Sequence, residues 1–179
     1  PVRMLVLTPT RELADQIDQN VQAYIKNLPL RHTVLFGGVN MDKQTADLRA
    51  GCEIVVATVG RLLDHVKQKN INLNKVEIVV LDEADRMLDM GFIDDIRKIM
   101  QMLPKQRQTL LFSATFSPPI RKLAQDFMHT PEMVEVAAQN TTNANVEQHI
   151  IAVDALKKRN LLERLIVDLH MNQVIVFCK

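Results

Sequence analysis

The sequence predicts an α/β fold in which a parallel sheet is flanked by helices. Two observations carry this. Short runs rich in Val, Ile and Leu recur along the chain, nearly continuous rather than alternating, as strands buried on both faces of a sheet require. Each early run is followed by turn or polar residues and then by a stretch with helical spacing, and strand alternating with helix is the pattern of α/β proteins.

In chain order, the first strand is expected at Met4–Leu7, ending at the Pro9 turn, and the second at Val34–Phe36, ending at Gly37-Gly38. The third, Ile54–Ala57, runs into Thr58-Val59-Gly60-Arg61. The fourth, Val76–Leu81, runs into Asp82-Glu83, and the fifth, Thr109–Phe112, into Ser113-Ala114-Thr115. Between the last two, Ile93, Ile96, Ile99, Met100 and Leu103 share one face of a helix. Ser117-Pro118-Pro119 reads as a further helix start. Two later runs, Ile150–Val153 and Val174–Phe177, are also expected as strands, with a helix between them on Leu161, Leu162, Leu165, Ile166 and Leu169.

Ala137 to Glu147 breaks the rhythm with almost no apolar content and reads as an exposed linker. Residues 1–136 then form one domain and 148–179 the beginning of another, because a lone strand–helix–strand of about 32 residues cannot bury a core of its own. The chain starts without Met and enters directly into an apolar run, so it is expected to be cut from something longer.

Composition narrows the function. With 22 Lys+Arg against 21 Asp+Glu, the formal net charge is +1, which argues against coating nucleic acid by bulk electrostatics. No Trp, one Tyr and six Phe argue against an open aromatic sheet on which bases stack. Cys52 and Cys178 form neither a CxxC pair nor a zinc set, and read as reduced thiols of a cytoplasmic protein. No apolar run approaches the roughly 18 residues of a membrane-spanning helix. His32, His65, His129, His149 and His170 lack ligand spacing and read as surface or packing residues, and Met87, Met90, Met100 and Met102 as core filler.

All the polar motifs fall at the carboxyl ends of expected parallel strands, the edge where open α/β sheets bind ligands. Asp82 and Glu83 emerge from the fourth strand. On an extended chain neighbouring side chains point opposite ways, so one carboxylate can hold a hydrated Mg²⁺ while the other faces water, as phosphoryl transfer needs. The plain alternative is that Asp82 and Asp85 cap the next helix. Thr58 could cap a helix beginning near Val59, with Gly60 admitting a sugar-phosphate chain and Arg61 supplying charge. Thr10 and Arg11 offer the same arrangement one strand over, and Gly37-Gly38 removes side chains where a backbone would come close. Each of these is also an ordinary turn or cap. Ser113 and Thr115 bring hydroxyls within expected reach of Asp85.

Pro-Thr-Arg-Glu-Leu-Ala (9–14), Gly-Gly (37–38), Thr-x-Gly-Arg (58–61), Val-Leu-Asp-Glu-Ala-Asp-Arg-Met-Leu (80–88) and Phe-Ser-Ala-Thr (112–115) resemble, in order and spacing, the motifs of DEAD-box ATP-dependent RNA helicases. Val-Ile-Val-Phe-Cys-Lys (174–179) resembles the opening of that family's second RecA-like domain. Met-Gly-Phe (90–92) and Ser-Ala-Thr-Phe-Ser (113–117) look most like the bacterial RhlE-type branch. The resemblance implies an incomplete first RecA-like domain plus the start of a second. It implies ATP and Mg²⁺ as cofactors, RNA held by its backbone as partner, and closure of two domains that locally disrupts a duplex. By resemblance, Asp82 would bind Mg²⁺ through water and Glu83 would activate the hydrolytic water. Asp85, Ser113 and Thr115 would couple nucleotide to RNA, and Thr10, Arg11, Gly37, Gly38, Thr58, Gly60 and Arg61 would hold RNA.

The sequence also departs from the family. The phosphate-binding loop G-x-x-x-x-G-K-[ST] does not occur in it, and without that loop's lysine and amides the triphosphate loses its main cradle. These residues alone are therefore expected to show little ATPase activity. Val59 stands where the family usually has Pro; by the size of such effects, roughly 0.4–1 kcal/mol, a weaker RNA grip is expected rather than a lost fold. A non-catalytic RNA- or protein-binding module is the alternative reading. Other RecA-fold ATPases share the acidic motif but not its combination with the rest.

Overall fold

A strand needs a neighbour, and the first five apolar runs find theirs in one sheet with β1 (Met4–Thr8) at its centre. With β2 (His32–Leu35), β3 (Ile54–Thr58), β4 (Ile78–Leu81) and β5 (Gln108–Leu111), it forms a parallel sheet in the order β2-β3-β1-β4-β5. The chain builds one side of β1 first and then crosses to build the other. Register is continuous across the sheet: Leu7 lies beside Ala57 and Leu81, and Leu81 beside Leu111. The computed structural model describes residues 1–135 and 146–177.

The helices are α1 (Arg11–Ile25), α2 (Met41–Ala50), α3 (Val59–Lys67), α4 (Ala84–Asp89), α5 (Ile93–Met102) and α6 (Pro118–Phe127). Their ends follow local chemistry. Asn40 caps α2 by accepting from the Asp42 N–H at 2.8 Å, and Gly51 stops it with its N–H on the Leu48 carbonyl. Pro118 and Pro119 open α6, where missing N–H groups cost nothing.

Alternate strand residues feed two cores. Leu5, Leu7, Val55, Ala57, Val79 and Leu81 pack with α3, α5 and α6 through Leu62, Ile96, Ile99 and Ile120, all buried. Val6, Val56 and Val80 pack against Ala14 on α1, with Ile17 and Val21 beside them. Burying a Leu, Ile or Val side chain contributes about 1.5–3 kcal/mol, so this double-sided burial is what fixes the strand register and hence the loops that leave it.

The chain divides into two units, Pro1–Gln139 and Asn140–Lys179. In the second, a 3₁₀ turn (Ala155–Lys157) leads into α7 (Lys158–Asp168). The two strands expected here do not form: Ile150–Val153 and Val174–Phe177 carry no regular structure. Ile150 is 99% exposed and Phe177 92%. The reason is pairing: an apolar run becomes a strand only against another strand, and no strand lies among the described residues of this unit. Of the expected linker 137–147, residues 137–145 lie outside the described residues, as do Cys178 and Lys179; Val146 and Glu147 are exposed. Met87 and Met100 are core residues, but Met90 and Met102 face solvent, so only half of the expected methionine filler is buried.

Candidate functional site

The sheet order sorts the motif loops. From one side of the carboxyl edge to the other they run Gly37-Gly38 after β2, Thr58–Arg61 at the end of β3, Thr10-Arg11 after β1, Asp82–Asp85 after β4 and Ser113–Thr115 after β5. Gly37, Gly38, Gly60, Arg11 and Arg61 therefore share one half of the edge, where Glu12 lies 3.8 Å from Arg11, and Asp82, Glu83 and Asp85 the other, beside Arg86.

On the first half, Thr10 caps α1 by accepting from the Leu13 N–H at 3.3 Å, while the buried Thr8 hydroxyl donates to the Thr10 carbonyl at 3.1 Å. Arg11 is thereby exposed at the first position of α1, and its guanidinium lies 6.0 Å from the Phe36 ring centroid. It reaches past β3 to the loop after β2, where a Cβ added to Gly38 would meet its Nη1 at 3.1 Å. Gly38 has φ +80°, a conformation side chains rarely adopt. Gly37 and Gly60 have open space where a Cβ would stand, so no protein atom demands glycine there.

Thr58 occupies the N-cap position of α3 but makes no cap bond; its hydroxyl donates instead to the Leu35 carbonyl at 3.4 Å. The expected cap is thus replaced by a tie between β3 and β2. Val59 is fully buried at the first position of α3. Arg61 is held at both ends of its guanidinium, by Gln44 Oε1 at 3.1 Å and by the Val39 carbonyl at 3.1 Å. Sequence reasoning missed Gln44 and the Phe36 ring. Gln44 lies on a helix whose other residues are largely polar, and no pattern marks it as the one that turns inward.

On the second half, backbone pairing continues past the strands. The Asp82 N–H donates to the Leu7 carbonyl at 3.0 Å, Phe112 to Leu81 at 2.8 Å, and Ala84 to Phe112 at 3.0 Å. The chain then leaves the extended state. Glu83 has φ 51° and ψ 52°, left-handed, so Asp82 and Glu83 are not neighbours on a straight strand, and the expected opposition of their side chains does not apply. Asp82 Oδ1 accepts from the Glu83 N–H at 2.9 Å, and Glu83 lies 4.0 Å from Arg86. Neither Asp82 nor Asp85 is the N-cap of α4; that position is Glu83.

Asp85 Oδ2 accepts from both the N–H and the hydroxyl of Thr115, at 3.0 and 3.1 Å. Ser113 does not reach Asp85; its hydroxyl donates to the Thr115 carbonyl at 2.7 Å and closes the loop on itself. Glu83, Asp85, Arg86, Asp89 and Ala114 line a shallow depression of about 310 Å³. The edge can thus present open glycines and two arginines to a polyanion on one side, and carboxylates to a metal or water on the other.

A sequence profile of the DEAD/DEAH box helicase family matches residues 1–123. The chain belongs to this family. It is 45% identical over 178 residues to the ATP-dependent RNA helicase RhlB of Pseudomonas syringae pv. tomato, covering 98% of this chain and 45% of that one. It is 42% identical over 165 residues to the ATP-dependent RNA helicase CshA of Listeria monocytogenes, covering 92% and 32%. Among solved structures, a DEAD box protein from Methanococcus jannaschii superposes with TM-score 0.73 at 37% identity, over 92% of this chain and 44% of that one. The yeast DEAD-box splicing factor Prp28 superposes with TM-score 0.69 at 36% identity, over 72% and 31%. The DEAD-box chain described here thus spans about a third to just under half the length of these relatives, and its sheet is that of their RecA-like domains.

Proposed function

We propose that this chain is the core of an ATP-dependent RNA helicase, contributing the RNA-holding edge and the acidic side of the ATP site. The observation that carries the reading is the sorting of motifs by the sheet order, basic and glycine-rich on β2, β3 and β1, acidic on β4. Its similarity to the ATP-dependent RNA helicases RhlB and CshA supports it.

On this reading Thr10, Arg11, Gly37, Gly38, Thr58, Gly60 and Arg61 hold the sugar-phosphate backbone of one RNA strand, single-stranded or in a short duplex. Open space at Gly37 and Gly60 admits the chain, and Arg11 and Arg61 supply charge. Contacts of this kind position RNA without reading its bases. Glu83 orients and deprotonates the attacking water, and the Asp85–Thr115 link transmits the state of the acidic loop to the loop after β5.

The residues fit Mg²⁺ in one manner only. Among the described residues no three His, Cys, Asp or Glu side chains converge, so a cage of protein ligands is excluded there. An ion that keeps its waters and takes its remaining ligands from phosphates needs a single well-placed carboxylate, and Asp82 at the end of β4 is that group. When bound, the ion would neutralise the phosphates. Asp82 would hold its waters through the oxygen that is not tied to the Glu83 N–H.

Met90-Gly91-Phe92 and the Ser113–Ser117 run favour the RhlE-type branch. The unit boundary after Gln139 supports a first domain over 1–136 and the beginning of a second over 148–179. Cys52, a buried free thiol, supports a cytoplasmic setting, and among the described residues no helix is long and apolar enough to cross a membrane.

RNA-stimulated ATP hydrolysis by the full-length protein, with Glu83→Gln as control, tests the reading. Stimulated turnover that the substitution abolishes supports it. RNA binding without turnover would replace it with a non-catalytic RNA-binding module.

A further inference from the structure

Gln44 on α2 is 5% exposed, and both ends of its amide are engaged. Its Nε2 donates to the Phe36 carbonyl at 3.0 Å, and its Oε1 accepts from Arg61 Nη1 and from His65 Nε2, both at 3.1 Å. His65, on α3, is completely buried, and its Nδ1 faces Asn70 Nδ2 at 3.3 Å.

These partners fix the protons. Guanidinium can only donate, so the amide oxygen must face Arg61. That oxygen can only accept, so His65 carries a proton on Nε2; its Nδ1 faces the Asn70 NH₂, which also lies 3.3 Å from Thr45 Oγ1 and 3.2 Å from Gln68 Oε1. A donor group facing Nδ1 favours the neutral Nε2–H tautomer. Burial, and then the neighbouring Arg61 charge, hold the His65 pKa below the usual histidine value.

We propose that Gln44 and His65 are positioning residues that lock the Arg61 guanidinium and the Phe36–Val39 loop into one arrangement before nucleic acid arrives. The proposal rests on the reading of Arg61 as a phosphate contact. One amide joins the end of β2, the start of α3 and a buried histidine, and Arg61 closes the circuit by donating to the Val39 carbonyl at 3.1 Å. An arginine free to sample rotamers would have to be ordered on binding; this one is ordered already. A purely structural amide would satisfy the Phe36 carbonyl and His65 and leave the cation alone. Here the same oxygen serves the only charged group on this network.

The test is fluorescence anisotropy of the full-length protein with a labelled oligouridylate across a salt series, using Gln44→Met, Arg61→Ala and the double variant. Gln44→Met should weaken binding about tenfold, the scale of a lost charge-assisted hydrogen bond. It should also reduce the slope of log K against log salt toward that of Arg61→Ala, by about 0.7 for one single-strand phosphate contact. The double variant should bind no more weakly than Arg61→Ala alone. Additive losses, or a wild-type slope in Gln44→Met, would overturn the inference while leaving the helicase reading in place. Failure of the wild type to bind RNA would overturn both. Should Gln44→Met not fold, long-range proton–nitrogen spectra of the wild type near neutral pH decide: His65 must show the neutral Nε2–H pattern. An imidazolium or Nδ1–H pattern contradicts the network.

Discussion

Asp85 and Thr115 are joined twice through a single oxygen, Asp85 Oδ2, which accepts the Thr115 N–H at 3.0 Å and its hydroxyl at 3.1 Å. The pair ties the first turn of α4 to the loop after β5, on the acidic half of the sheet edge. Ala84 strengthens the tie by donating its N–H to the Phe112 carbonyl. Two loops that leave different strands are therefore tied together.

Asp85→Ala removes both bonds and should raise the hydrogen-exchange rate of the Thr115 amide about tenfold or more, since each such bond contributes about 0.5–1.5 kcal/mol. Asp85→Asn keeps a carbonyl oxygen and should restore most of the protection. Equal exchange in both variants would mean that the amide is protected by something other than this carboxylate.

The glycines of the edge should separate by cause. Gly38→Ala forces a side chain to φ +80° and against Arg11, and should destabilise the fold by about 1–3 kcal/mol in urea melts. Gly60→Ala, in a helix with open space, should stabilise by about 0.5–1 kcal/mol. If Gly60 faces RNA as proposed, Gly60→Ala should nonetheless weaken RNA binding, because the added methyl would fill that open space. Unchanged affinity would remove Gly60 from the interface.

His65 sets a pH dependence. Its pKa is lowered in the fold, chiefly by burial, so below the unfolded value of about 6.5 the unfolded chain takes up a proton that the folded chain refuses. Its contribution is complete above that pH and is lost as pH falls from there toward the folded pKa. Urea midpoints taken from about pH 7.5 down to about 5.5 should drop more steeply for wild type than for His65→Gln. Parallel curves would contradict the buried neutral imidazole.

Cys52 should be inert while the chain is folded. Burial, followed by the neighbouring Glu53 charge, pushes its thiol pKa up to about 11, so little thiolate is present near neutral pH. Peptide mapping after iodoacetamide at about pH 8 should show Cys52 modified only in urea. Labelling in the native protein at the unfolded rate would refute this.

The sequence made the sheet legible because its strands are buried on both faces, so local composition and tertiary role agree. Leu5, Val6 and Leu7 are apolar in a row and all buried. The placement of motifs at one edge followed from that. What local reasoning could not supply were facts decided by distant partners. Ile150–Val153 is as apolar as a strand but pairs with none among the described residues. The left-handed backbone of Glu83 and the substitution of a Leu35 tie for the Thr58 cap depend on where neighbouring strands end. Gln44 turns inward from a polar helix because Phe36, Arg61 and His65 meet there, and these are far apart in sequence.

The central claim is that one edge of the sheet does the work and that its basic half holds RNA. Amide chemical-shift mapping of the isotope-labelled protein with a short oligouridylate tests this most directly. The account predicts shifts at Thr10, Arg11, Gly37, Gly38, Thr58, Gly60 and Arg61. Shifts confined to the opposite edge, where Arg3 pairs with Glu77 and Arg31 bonds the Ala50 carbonyl, would contradict it.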